Sequence, residues 1–215
     1  MRDDDRPSPE KNTQLSSRLM DITDPTEQHI GERHYQGYGV DFCPIIPRDL
    51  PSLRRWRNSP EISKQMTDSS YINAHQQRDW YENIKARNDQ AHWMVWFKGV
   101  RAGYANIKGV VPLARQSELA GGFISGNSSV KNGLLGYAMI LMQLDIAFEH
   151  LSAITFKGPV LKTNHSARRL NKEMGYLEEW ETDTVIGVVL TKDNYRIAKS
   201  RFRRYFLNPQ CVLIS

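Results

Sequence analysis

Cysteine is close to absent: Cys43 and Cys211 are the whole supply in 215 residues. Two thiols cannot build a disulfide framework, which points to a reducing, cytoplasmic setting. No stretch approaches the ~18 apolar residues of a membrane span. The opening Met1-Arg-Asp-Asp-Asp-Arg6 has no apolar region of the kind a secretory signal carries. Neither secretion nor a membrane partner is expected. His, Cys and carboxylate residues nowhere cluster at ligand spacing, so no metal is expected. A Gly-x-Gly-x-x-Gly following a strand is missing, as is Gly-Lys-Ser/Thr, which excludes dinucleotide-fold dehydrogenases and P-loop enzymes. There is no internal repeat and no low-complexity block.

What is present is a basic body with a polar front. The formal net charge is +5, yet residues 1–39 hold five Lys/Arg against eight Asp/Glu, so the positive excess belongs to the rest of the chain. A basic body suits an anionic ligand, nucleotide or nucleic acid, without choosing between them. Residues 1–37, with Pro7, Pro9 and Pro25 and no apolar period, read as a mobile polar tail, with a short helix around Gln14–Met20 conceivable. Residues 38–208 read as a single domain, and residues 209–215 as a C-terminal tail.

Within the domain, Val40, Phe42 and Ile45 suit a first strand. Asp49 can cap a helix carrying Pro51, Leu53 and Trp56. Asn58-Ser-Pro60 interrupts it, and Pro60 opens a second short helix over Glu61–Met66. Asn73 with Gln76 resembles a capping box for a helix over 74–87 whose inner face carries Trp80 and Ile84. His92–Phe97 and Gly103–Ile107 flank a hairpin turn at Lys98-Gly99. Leu119–Ser125, Ile154–Leu161 and Val185–Leu190 read as strands. Helices are expected over 134–150, apolar nearly all round, over 164–174, and over 193–205. This order predicts an α/β (α+β) domain with a mixed, mostly antiparallel central sheet flanked by helices.

The most informative stretch is Gly133-Leu-Leu-Gly136-Tyr-Ala138, which runs directly into the apolar helix, followed by Asn164-His-Ser-Ala167-Arg-Arg-Leu170 and Gly175-Tyr176. A loop poor in side chains at a helix start offers free N–H groups and the positive end of the helix dipole, a seat for phosphate. By itself Gly-x-x-Gly is equally a tight strand-to-helix turn.

Together these motifs resemble the GCN5-related N-acetyltransferase superfamily. Its loop pattern [Gln/Arg]-x-x-Gly-x-[Gly/Ala] is matched at Gly136 and Ala138, with Gly133 in place of the long side chain and Lys131 nearby. Its Asn-x-x-Ala-x-x-Leu-Tyr-x-x-x-Gly-[Phe/Tyr] pattern is matched at Asn164, Ala167, Leu170, Gly175 and Tyr176, with Asn171 at the Tyr position. Trp56-Arg57-Asn58, Pro60-Glu-Ile, Met66 and His75-Gln-Gln-Arg-Asp-Trp-Tyr81 are similar to the branch that includes nucleotide-amino-sugar N-acetyltransferases of pseudaminic acid biosynthesis. The resemblance spans roughly residues 40–190.

The resemblance implies acetyl-CoA as co-substrate, its pyrophosphate on Lys131, Asn132, Gly133, Leu134, Gly136, Tyr137 and Ala138, with Asn164 beside it. It also implies that Leu119–Ser125 splays from Ile154–Leu161 to admit the pantetheine arm, Gly121-Gly122 letting a ligand near the main chain. A backbone N–H there would stabilise the thioester oxygen. Glu118 is the nearest carboxylate for the role of base, although the expected Glu aligns with Leu119, on the opposite face. A water chain is the alternative. His92 and His165 read as structural or exposed. Asn171 can hydrogen-bond a departing thiolate but cannot protonate it. A thiol of pKa about 8.5 leaves readily without an acid, so catalysis is weakened, not excluded.

For the acceptor, Arg57 can pair with a nucleotide phosphate and Trp56 can stack on a base or sugar. Trp56 is equally placed for the core, and Asn58 for ending a helix. Met66 and Tyr71 can line the same cleft. The basic run Arg196, Lys199, Arg201, Arg203, Arg204 fits a packed helix better than a nucleic-acid patch, because Phe202 and Tyr205 share one face. The leading expectation is an N-acetyltransferase for a nucleotide-linked amino sugar. The rivals are a protein N-terminal acetyltransferase and a non-catalytic acyl-CoA-binding module. The oligomeric state stays open.

Overall fold

The centre of the molecule is a hairpin whose first strand, Gln90–Phe97, is buried on both faces along most of its length. In the computed structural model, which describes residues 29–111, 117–130 and 132–214, β3 (Gln90–Phe97) and β4 (Val100–Lys108) form the hairpin turning at Lys98-Gly99. They join β1 (Tyr35–Gly37), β2 (Val40–Pro44), β5 (Ser117–Ser125), β6 (Ala153–Leu161), β7 (Leu177–Glu181), β8 (Val185–Thr191) and β9 (Val212–Leu213). The sheet order is β7-β8-β6-β5-β4-β3-β2-β1-β9. Every neighbouring pair is antiparallel except β5 and β6, which run parallel. The mixed, mostly antiparallel sheet expected from the sequence is what forms.

Both ends of the domain extend beyond the expected limits. Tyr35 is fully buried in β1, ahead of the expected start at Tyr38. Val212–Leu213, read as tail, pairs with Tyr35 and Gln36. Strands of two or three residues carry no measurable alternation, so only the edge they pair with reveals them. The Gln14–Met20 segment lies outside the described residues.

Helices cover the two faces unequally. Helix α4 (Leu135–Asp145) beyond its first turn, and the wider π turn after it (Ile146–His150) as far as Phe148, are buried on every side and carry the main core with Phe42, Trp93, Ile107, Leu119 and Phe156. Beside α4 lie α5 (His165–Met174) and α6 (Lys192–Phe202). Asp145, 1 % exposed, ends α4 and is satisfied by three donors: Tyr38 Oη at 2.6 Å, Tyr195 Oη at 2.6 Å and Lys199 Nζ at 2.5 Å. The other face carries α1 (Leu50–Asn58), the single turn α2 (Pro60–Ser63) and α3 (Ala74–Lys85). Leu53, Trp56, Tyr81 and Ile84 pack there on Met94 of β3. Helix α3 begins with the Asn73–Gln76 capping box, whereas α2 stops short of Met66. On this second face β5 and β6 stay uncovered: Gly122 is exposed, and Glu118 and Lys157 meet solvent.

Candidate active site

The parallel pair β5–β6 opens into a fork. Paired residues run from Ser117↔Ala153 to Ala120↔Lys157 and then cease, although β5 continues to Ser125 and β6 to Leu161. Each strand keeps its outer partner to the end, β5 with β4 through Ser125↔Gly103 and β6 with β8 through Leu161↔Val185. Two half-sheets therefore diverge beyond Ala120, and the inner edge of each is left without a strand. Gly122 N–H bonds the side chain of Asn106 on β4 at 2.9 Å, and Gly121 O faces Gly158 on β6. Main-chain direction alternates along a strand, so the polar groups of Phe123 and Ser125 also face into the fork.

At the open end of the fork, α4 presents its N-terminus. The first i→i−4 bond is Ala138 N–H to Leu134 O at 2.8 Å, so the Ala138 donor is spent inside the helix. Asn132 Oδ1 accepts from Leu134 and Leu135 N–H, both at 2.9 Å. Helical geometry then leaves Gly136 and Tyr137 N–H without intrahelical partners. A Cβ at Gly133 or Gly136 would meet nothing within 4 Å, and neither needs a left-handed backbone. The fold does not require glycine at these two positions. What glycine leaves there is bare main chain at the positive end of a dipole, which fits an anionic group. The Tyr137 side chain points away: it donates to Glu173 of α5, and its ring stacks on Phe202 of α6 at 5.0 Å. Lys131 lies outside the described residues.

The segment between α2 and α3 bridges the mouth. Asn164 caps α5, accepting from Ala167 N–H at 3.1 Å, and its Nδ2 reaches Gln65 O at 3.4 Å. Asn58 donates to Ile72 O at 2.7 Å and accepts from Ile72 N–H at 2.9 Å, so its amide is used in tethering this segment. Arg57 holds the same segment through the carbonyl and carboxylate of Asp68, while its Nη1 is buried without a partner. Trp56 is 8 % exposed and packs flat on Gly126, where a Cβ would sit 2.1 Å from the indole. That places Trp56 in the core, with an edge on a cavity of about 580 Å³ that Arg55, Trp96 and Arg101 also line. Met66 is half-buried in the bridging segment, and Tyr71 is 71 % exposed.

Glu118 sits on the uncovered face just before the fork, 3.3 Å from Lys157 Nζ, which also lies 3.2 Å from Glu179. The two carboxylates hold the Lys157 ammonium above its ordinary pKa, Glu179 contributing most. Leu119 is buried on the opposite face, as the pleat requires. Asn171 is half-buried on α5. His92, 5 % exposed, accepts from or donates to Tyr104 Oη at 2.7 Å. Burial first, then Lys108 and Arg87, push its pKa down to about 4, so at neutral pH it is an uncharged core side chain. His165 is exposed. Two polar residues that the motifs do not mark are Asn106 and Gln143, both holding Gly122. Gln143 stands out in the sequence only as an amide inside an apolar helix.

Among the described residues no group of His, Cys and carboxylates can hold a metal, and no helix is long and apolar enough to cross a membrane. No protein-family model and no curated protein sequence matches the chain. Solved structures do: the chain has the fold of the GCN5-related N-acetyltransferases. An apo structure of FdhC, described as a nucleotide-linked sugar GNAT, matches with a TM-score of 0.68 and 16 % identity over 80 % of this chain and 97 % of that one. Spermidine N-acetyltransferase from Vibrio cholerae, solved with CoA and spermine, matches at 0.62 and 16 % identity, over 77 % and 98 %. The Campylobacter jejuni N-acetyltransferase PseH matches at 0.55 and 14 %, over 75 % and 99 %.

Proposed function

We propose that the protein is an N-acetyltransferase that moves an acetyl group from acetyl-CoA to a primary amine, and that the acceptor is a nucleotide-linked amino sugar. The observation that carries this reading is the fork itself: two strands parting beyond Ala120 with the open start of α4 at its mouth. A thioester arm lying between the strands places its pyrophosphate against Gly136 and Tyr137 N–H. Phe123 N–H, directed into the fork, donates to the thioester oxygen and stabilises charge that grows there. The acceptor approaches over the uncovered face, beneath the segment that Asn58 and Arg57 tether, with Met66 and Tyr71 on its walls.

The amine must lose a proton. Glu118 is the carboxylate on the uncovered face beside the fork, 3.3 Å from Lys157 Nζ, and it takes the proton directly or through a solvent chain. Asn171 hydrogen-bonds the departing sulfur without supplying a proton. The acceptor class draws support from FdhC and PseH, whose likeness in fold adds to the Trp56-Arg57-Asn58 resemblance. We place the protein in the cytoplasm, a reading supported by the scarcity of cysteine and by two free thiols.

A second reading, an acyl-CoA-binding module without turnover, is favoured by Asn171 and by the pairing of Glu118 with Lys157. Incubation with acetyl-CoA and a panel of amino-sugar nucleotides, polyamines and peptides, following thiol release, separates the two. Release confined to amino-sugar nucleotides supports the proposal. Tight CoA binding with no release on any amine selects the binding module.

A further inference from the structure

We infer that Gln143 and Asn106 are positioning residues that aim the main chain of β5 into the fork; the inference rests on the acetyl-transfer reading above. Gln143 is 2 % exposed on a helix whose other buried residues between Leu135 and Leu144 are apolar. A buried amide is costly unless it is hydrogen-bonded. Its Nε2 donates to Asn106 O at 2.6 Å and to Gly122 O at 3.0 Å. Asn106 Oδ1 accepts from Gly122 N–H at 2.9 Å. Gly122 is thus held at both its main-chain polar groups by side-chain amides, two residues past the last β5–β6 pair.

Peptide planarity turns those bonds into aim. In a trans peptide unit the C=O and the following N–H point in opposite directions within one plane. Gly122 O and Phe123 N–H belong to one unit, so the bond from Gln143 directs Phe123 N–H to the other side, into the fork. Gly121 O and Gly122 N–H belong to the preceding unit, so the bond to Asn106 turns Gly121 O toward β6, where it faces Gly158. Gly121 itself sits so tight that a Cβ would lie 2.2 Å from Asn106 O and 2.9 Å from the Phe156 ring. Only glycine lets the strand lie this close to β4 and to the core. Gln143 and Asn106 touch no substrate; they act through Phe123 and Gly121.

Steady-state kinetics, CoA binding and residue-resolved amide exchange with and without acetyl-CoA, on wild type and Gln143→Met, test this. A small misplacement of a donor costs about 10²-fold in rate. The expected result is a kcat lower by about that factor, with Kd for CoA and KM for acetyl-CoA nearly unchanged. Acetyl-CoA should still protect the Gly136 and Tyr137 amides in the variant but no longer the Phe123 amide. An unchanged kcat with retained Phe123 protection overturns the inference, as does protection lost equally throughout the sheet and α4, which marks a purely structural role. If Gln143→Met does not fold, the Asn106 pair decides. Asn106→Leu should lose turnover and Asn106→Asp, which keeps the acceptor oxygen, should recover most of it; equal loss in both overturns the inference. Wild type that neither binds CoA nor acetylates any amine refutes the acetyl-transfer reading itself, a result distinct from a variant that matches an active wild type.

Discussion

Replacing Gly136 by Asp separates the helix start as a structural turn from the helix start as an anion seat. A Cβ there meets nothing within 4 Å, so the change fits without displacing any neighbour. A carboxylate in the first turn of α4 also complements the helix dipole, which is worth about 0.3–1 kcal/mol. Thermal stability should therefore be equal to wild type or slightly higher. The same carboxylate faces the pyrophosphate. At roughly 5 Å and an effective dielectric of about 20, each pair of unit charges repels by about 3 kcal/mol. Screening and rotation of the side chain into water reduce this to roughly 1.5–3 kcal/mol, or about 10- to 10²-fold in Kd. Calorimetric titration with CoA at low and high salt, beside a thermal melt, gives both quantities. Part of the lost affinity should return at high salt. A folded Gly136→Asp protein with wild-type CoA affinity would falsify the pyrophosphate assignment.

Three further outcomes follow from the geometry. His92 is held neutral by burial, so the unfolded chain takes up its proton near pH 6.5 and the folded one only near pH 4. Its contribution is complete above pH 6.5 and erodes as the pH falls toward 4, by about 2 kcal/mol at pH 5. Urea unfolding at pH 7 and pH 5 should show a clearly smaller difference in His92→Gln, and an identical difference would sink the assignment. Asn58→Ala frees Ile72 and the segment over the fork. At about 1 kcal/mol for the lost bonds, the acceptor KM should rise roughly fivefold with the acetyl-CoA KM unmoved; a change confined to acetyl-CoA would contradict the placement. Asp145→Ala strands two buried hydroxyls and the Lys199 ammonium. Denaturant unfolding should register a loss of about 3 kcal/mol, and a loss below about 1 kcal/mol would show that the donors find other partners.

The elements with a strong local signature were legible in the sequence. The Asn73–Gln76 box, the Lys98-Gly99 turn and the apolar run after Gly133 each report a backbone preference set by near neighbours. The short strands β1, β7 and β9 were not, because two to five residues carry too little pattern and their existence depends on a distant partner. The candidate site divides along the same line. Gly133 and Gly136 mark the helix start in the sequence, yet Ala138 belonged to the same motif and its N–H is already used in the helix. Trp56 and Asn58 were marked for substrate, and the fold gives both packing and tethering duties, since a side chain's free atoms are known only once its neighbours are. Asn106 and Gln143 went unmarked because they lie 37 positions apart and meet, directly and across Gly122, only in the folded sheet.

The sequence by itself determined where the main helices begin, the hairpin, the glycine-rich start of α4 and the resemblance in fold, because capping, turn chemistry and periodicity are local. Only the tertiary structure decided where β5 leaves β6, which N–H groups stay free at the fork, and that Glu118 is already paired with Lys157. Those are properties of distance between residues remote in the chain, and no pattern along the chain encodes a distance across the sheet.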